Sequence, residues 1–251
     1  MTLSRAGIWR KLRRCGTTTA AFSALFFATG RPVAAHTSQE QVTRDFQKTM
    51  TLSGAQAVSV EHKFGEVRVH GESGREVKIS ATIRAQASSH DEAESFAQKI
   101  QIDVQQTGEG VRIKTIYPEE QKRWFQSSKH SSWSVSYDIA MPSDAPLNVR
   151  NSFGSTEAFS IHGSVDIENS HGSITVHDAG AARLNDSFGS IELTGAAGNS
   201  SVTDTNGTVQ VSDVKGTLEV RNRFGSITTK NIQGAATITG GNGAVTLADV
   251  A

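Results

Sequence analysis

Gly207-Thr208-Val209-Gln210-Val211-Ser212-Asp213 decides how this chain is read. A glycine opens it, polar and apolar residues alternate behind it, and an aspartate closes it. The same pattern returns at Gly154, Gly163, Gly172, Gly189, Gly198, Gly216, Gly225, Gly234 and Gly243. Each step is nine residues except Gly172 to Gly189, which is seventeen, with Ala181 standing where a glycine is missing. The residue before the glycine alternates in kind. It is Phe153, His171, Phe188, Asn206, Phe224 and Asn242 on one set of corners, and His162, Gly180, Ala197, Lys215 and Gln233 on the other. The true unit is therefore two nines, or eighteen residues. Self-similarity at a fixed period signals a solenoid, and alternation within each copy makes its walls strands.

One coil cannot stand alone. In the copy from Gly207 the inward set is Val209, Val211, Val214, Leu218 and Val220. Burying five such side chains does not offset the entropy of ordering eighteen residues, so coils must stack and share ladder hydrogen bonds. Asn206-Gly207 and Asn242-Gly243 are turn pairs. A column of Asn151, Asn169, Asp186, Asp204 and Asn222 precedes the corners, placed to bond turn backbones from coil to coil. The expected fold is all-β: a parallel β-helix or β-solenoid of 18-residue coils over residues 146–251, about six coils, wound right-handed by the usual hand of parallel crossovers. Phe153-Gly154, Phe188-Gly189 and Phe224-Gly225 are its structural corners, and their phenyl rings form either an inward corner stack, the reading preferred here, or an outward aromatic stripe, since the register does not orient them.

Working outward, Phe64-Gly65 repeats the corner pair 89 residues before Phe153-Gly154, close to five units, so an early coil is expected near the N-terminus with an insertion after it. Residues 51–145 read as a β-rich cap module for the solenoid end, whose open edges need cover. Its one helix is expected at about 91–100. Ala93, Phe96, Ala97 and Ile100 share a face there, and Ser89 with Glu92 forms a capping-box signature. Residues 36–50 read as a polar tether.

Residues 1–35 read as a secretory signal peptide: a basic start, an apolar run from Ala20 to Ala28, and the small residues Val33-Ala34-Ala35. The run is short of the roughly 20 residues that span a bilayer, so no permanent membrane anchor is expected. The full chain carries 25 basic and 25 acidic residues, but six basic and no acidic ones lie in 1–35. The remainder carries 19 basic against 25 acidic, a charge of −6, which argues against a nucleic-acid partner. Cys15, the single cysteine, falls within the signal, so neither disulfide nor thiol chemistry is expected. The chain is expected to be exported, to the periplasm, the cell envelope or beyond.

Tyr137-Asp138-Ile139-Ala140-Met141-Pro142, followed by Leu147-Asn148-Val149-Arg150-Asn151-Ser152-Phe153-Gly154-Ser155, resembles the opening motif of the bacterial putative-adhesin family, a domain of unknown function. Gly-Ser-Ile copies at Gly172, Gly189 and Gly225 continue that pattern. The resemblance covers about residues 46–251 and implies an exported β-solenoid of the cell envelope. It brings no catalytic residues with it.

Polysaccharide-cleaving sites need convergent carboxylates in a cleft, whereas Glu157, Asp166, Glu168, Glu192 and Glu219 are spread along outward positions with no long loop between them. Calcium-binding nonapeptide rolls need Gly-Gly-x-Gly-x-Asp, and Gly240-Gly241-Asn242-Gly243 lacks the aspartate. The histidines His62, His70, His162, His171 and His177 fall in no ligand spacing. No catalytic, metal or cofactor site is expected. The candidate binding set is Tyr117, Trp124, Phe125, Trp133 and Tyr137, aromatic rings interleaved with Lys122, Arg123, Lys129 and His130, set against packing of the cap onto the first coil. The expectation is a non-enzymatic, adhesin-like binding or structural module whose partner is an envelope glycan or protein. A scaffold self-associating through its solenoid ends is the second reading, since the sequence stops at Asp249-Val250-Ala251 without a capping segment, and a polysaccharide-active enzyme is the third.

Overall fold

The structure, a computed structural model, describes residues 40–54, 56–118 and 131–250. In chain order the elements are β1 (Glu40–Thr51), β2 (Ala57–Glu61), β3 (Val67–Glu72), β4 (Glu76–Ala87), α1 (His90–Lys99), β5 (Gln101–Thr107), β6 (Gly110–Ile116) and β7 (Ser132–Pro142). There follow β8 (Leu147–Arg150), β9 (Thr156–Glu168), β10 (Ile174–Ala196), β11 (Ser200–Val214), β12 (Leu218–Phe224), β13 (Ile227–Ile232), β14 (Ala236–Asn242) and β15 (Val245–Val250). Strands from β8 onward pair in parallel with the coil above and below, mostly eighteen residues apart, as in Val202↔Val220 and Val220↔Ile238. The result is a β-solenoid with six coils between residues 147 and 250.

Alternation fixes the core. Val60, Val149, Ile167, Leu184, Val202 and Val220 form one inward column, each at most 1% exposed. Val209, Val211, Val214, Leu218 and Val220 are all buried, as the inward set requires. The corner opposite the Phe-Gly pairs is turned by left-handed residues: Ser160, Asp178, Asp213, Asn231 and Asp249 have φ of 52–60°. Short polar side chains tolerate that region by bonding locally, which explains why so many nines end in Asp or Asn.

The early coil exists. β2 pairs β8 and β3 pairs β9 in parallel, and Phe64 bridges Phe153. Residues 57–72 are thus a seventh coil of the solenoid rather than part of a separate module, which moves the expected boundary at residue 146. The chain then leaves for residues 73–146 and returns. On its way β6 and β7 add in parallel onto β2 and β3, continuing the stack by one more rung. Beyond them the direction reverses: β5 pairs β6, β4 pairs β7 and β1 pairs β4, all antiparallel.

The helix is N-capped by Ser89, whose hydroxyl accepts from the Glu92 N–H at 3.3 Å. Phe96, Ala97 and the adjoining Ile100 belong to the same continuous core as the coils, so the apolar face of α1 covers the solenoid interior at this end. The expected tether requires correction, since residues 40–51 are strand β1. Val42, Phe46 and Met50 lean on the core while Arg44 and Lys48 between them reach carbonyls. Arg44 donates to the carbonyls of Gln98 and Ile100, and Lys48 to that of Val104 at 3.0 Å. Arg44 so satisfies acceptors left open at the helix C-terminus. The expected signal at residues 1–35 lies outside the described residues.

Candidate functional site

The most distinctive surface is built at the Phe-Gly corners. Phe64, Phe153, His171, Phe188, Asn206, Phe224 and Asn242 occupy successive rungs in register. Phe64 stacks on Phe153 with ring centroids 5.3 Å apart and planes 11° from parallel. Phe153 to His171 is 4.8 Å and His171 to Phe188 is 5.0 Å, each at 19°. The rings point out, not in: Phe153 is 43% exposed, Phe188 50% and Phe224 40%. Of the two arrangements open from the sequence, the structure has the outward stripe and not the preferred inward corner packing.

The physical reason lies on either side of each ring. Two residues earlier, the inward place is taken by Asn151, Asn169, Asp186, Asp204 and Asn222, all at most 5% exposed. Asn169 Nδ2 donates to Gly154 O at 3.2 Å and Asn222 Nδ2 to Gly207 O at 2.9 Å, bonding corner backbone on the preceding rung. Just after the ring, Gly154 has φ +131°, and a Cβ there would stand 2.1 Å from Gly65 O. The corner backbones touch, so the side chain between them is forced outward. The two aspartates of the column cannot donate as the asparagines do. Burial pushes the Asp186 carboxyl up and raises that of Asp204 to about 6, the nearby Asp186 charge adding to the effect.

The aromatic candidates from the sequence separate. Tyr137 is buried, its hydroxyl 2.6 Å from Thr115 Oγ1, which in turn meets His62 Nδ1 at 3.0 Å. The Phe64 N–H donates to the Tyr117 hydroxyl at 3.2 Å. Tyr117 and Trp133 both meet the Phe64 ring edge-to-face, at 5.4 and 5.7 Å. Desolvation holds His62 at about 4, pushes the Tyr137 hydroxyl up to about 12 and raises that of Tyr117. These three aromatics therefore fasten the β6–β7 rung to the first coil. Trp124 and Phe125 lie outside the described residues.

The carboxylates divide between two faces. Glu157 accepts from Arg68 Nε at 3.0 Å on the face that also carries Glu192. Asp166, Glu168 and Glu219 lie on the other face, where a cavity of about 730 Å³ runs beneath the β5–β6 turn. Ser59, Glu61, Arg112, Arg150, Asp166 and Glu168 line it. The sequence suggested no cleft because no long loop flanks these acids. The wall comes instead from residues 107–110, brought over β2 by pairing across some fifty positions. Its charges are mutually engaged: Glu61 is held below the usual carboxylate range by Lys114 and Arg112, and Glu168 accepts from Arg150 Nε at 3.0 Å. Desolvation raises the Asp166 carboxyl, while Arg183 opposes the rise. Among the described residues, no three His, Cys, Asp or Glu side chains gather to hold a metal, and no helix is long and apolar enough to cross a membrane.

No protein-family model and no curated protein matches this chain. Its fold is similar to those of bacterial putative adhesins. A putative adhesin from Bacteroides fragilis is 15% identical with a TM-score of 0.41, covering 84% of this chain and 98% of its own. A putative cell adhesion protein from Clostridium sporogenes is 11% identical with a TM-score of 0.37, covering 82% and 99%. A putative lipid binding protein from Parabacteroides distasonis is 13% identical with a TM-score of 0.34, covering 79% and 96%.

Proposed function

We propose that this chain is a non-enzymatic binding module, adhesin-like in role, exported to the cell envelope by the signal in residues 1–35, with an envelope glycan or protein as its partner. The observation that supports this most is the outward column of rings. Exposed phenyl groups on every second rung have no role in the core, and aromatic faces and edges in water are a favourable contact for a partner. The ion-paired cavity on the neighbouring face carries charges matched to one another rather than a poised acid and base.

The test is retention of the purified protein on isolated envelope polysaccharide and envelope protein, with assay of new reducing ends in parallel. Retention without new reducing ends is expected. New reducing ends would overturn the non-enzymatic reading, and no retention on any fraction would overturn binding. Self-association through solenoid ends is the second reading. Molar mass rising with concentration in light scattering would support it.

A further inference from the structure

The ring column is interrupted in a regular way. Between Phe153 and Phe188 the intervening rung carries His171, whose ring fills the space at 4.8 Å from one phenyl and 5.0 Å from the other. Between Phe188 and Phe224 the intervening rung carries Asn206, bridged in register to both. Asn206 is exposed, its backbone N–H donates to Asp204 Oδ1 at 3.2 Å, and its side-chain amide has no hydrogen-bond partner among the described residues. An asparagine is shorter than a histidine, so its amide forms the floor of a gap that the equivalent position higher in the stack closes with a ring.

The width of this gap follows from the ladder. Two strand spacings of about 4.8 Å set the phenyl planes about 9.6 Å apart. A flat ring in van der Waals contact with both walls, at about 3.5–4.0 Å from each, needs only about 7–8 Å. The His171 ring is held at the midplane of such a space by its own backbone, 4.8 and 5.0 Å from its two neighbours, whereas an untethered planar ligand would settle against one wall and leave the other. A saturated six-membered ring in its chair form is thicker, because its carbons pucker and carry hydrogens on both faces, and it reaches both. Its equatorial hydroxyls then meet the Asn206 amide, which can donate and accept. Charge adds a further selection. The Arg223 guanidinium lies 5.1 Å from the centroid of the Phe224 ring, and Arg223 has no carboxylate partner among the described residues. A cation placed at an aromatic wall favours an anionic group on the same ligand.

We infer that Phe188, Asn206, Phe224 and Arg223 form a saccharide subsite that takes one pyranose ring of an acidic glycan, with the ring between the phenyl walls, hydroxyls on Asn206 and the carboxylate on Arg223. This rests on the reading of the chain as a binding module and names the ligand class and the site.

The test uses the whole protein in calorimetric titrations with three probes: a hexuronic acid tetrasaccharide, a neutral hexose tetrasaccharide and a short tyrosine-containing peptide. Asn206→His is the decisive variant, because it places a ring where His171 already shows that the corner accepts one. It should leave the melting temperature unchanged and weaken uronate binding by roughly tenfold or more, the range for loss of two aromatic contacts. Arg223→Gln should narrow the preference for the acidic over the neutral tetrasaccharide. Uronate binding that survives Asn206→His overturns the subsite while leaving the binding module standing. Peptide binding that is lost in Asn206→His, with no saccharide bound, overturns the ligand class. If none of the probes binds and no envelope fraction is retained, the subsite and the binding module fall together.

Discussion

Replacing Asp204 by asparagine should stabilise the protein, and by an amount that depends on pH. Asp204 is 2% exposed, and its Oδ2 is buried without a hydrogen-bond partner among the described residues. Its counterparts one rung up and down the corner column differ: Asn222 donates to the preceding corner, whereas Asp186 is a second acid whose charge raises the Asp204 carboxyl further. A carboxyl held at about 6 when folded, against an ordinary 3.8, binds its proton more tightly in the folded chain. Folding is then unpenalised below about pH 4, and the penalty grows as pH rises to about 6 and is complete above it. At about 1.36 kcal/mol per pH unit the ceiling is about 3 kcal/mol, which solvent screening at the corner reduces to about 1–2 kcal/mol. Asp204→Asn removes this penalty and supplies the missing donor. Melting followed by far-UV circular dichroism from pH 4 to pH 8 should show near-equality at pH 4. At pH 8 the variant should lead by roughly 2–8 °C, given about 2–4 °C per kcal/mol for a chain of this size. A lead that does not vary with pH, or a less stable variant at pH 8, would refute the reasoning.

Gly154→Ala should cost about 2–4 kcal/mol in urea unfolding, since φ +131° and the Gly65 carbonyl 2.1 Å from the new Cβ both oppose it. Leu184→Ala, at a fully buried position in the inward column, should lower stability by about 2–5 kcal/mol in the same assay, and a loss below about 1 kcal/mol would show that neighbouring coils collapse into the space. His62 should remain neutral in imidazole NMR spectra down to nearly pH 4. Its folded value lies below the ordinary 6.5, so it contributes stability that is present above pH 6.5 and lost as pH falls from there toward 4. Titration near 6.5 would mean that water reaches the ring.

The parts of this fold that could be read in advance are those where one residue type serves one physical need on every coil. Val209, Val211 and Val220 follow the period-2 alternation of a strand, and Gly154 and Gly225 mark corners where backbones touch. The Phe64-Gly65 pair carried enough of that register to reveal a coil 89 residues away. The direction of the Phe column is not legible in the sequence because a residue at a bend belongs to neither strand, so alternation does not extend to it. Its direction is set by Asn169 and its kin claiming the interior. β1 was missed because its inward positions alternate Val42, Arg44, Phe46, Lys48 and Met50. Long cationic side chains that lay their stems along the core and send their heads to carbonyls look polar in a sequence. The cavity wall was invisible for a different reason. Gly110 meets Ala57 through pairing of distant segments that share no motif, and only three-dimensional closure brings them together.

The detour between the first two coils also bears on how the chain assembles. Contacts such as Arg150–Glu168 close a loop of 18 residues, whereas Arg68–Glu157 joins positions 89 apart. Closing the longer loop carries about 1.4 kcal/mol more entropic cost. The contiguous coils can therefore zip from any point among themselves, one eighteen-residue step at a time. Residues 57–72 reach the later coils only across that longer loop, while they meet β6 at a separation of 53, as in Val58↔Val111. The junction between the first two coils is thus the one step of the stack that carries a long-loop cost, although its strands leave the ribosome first.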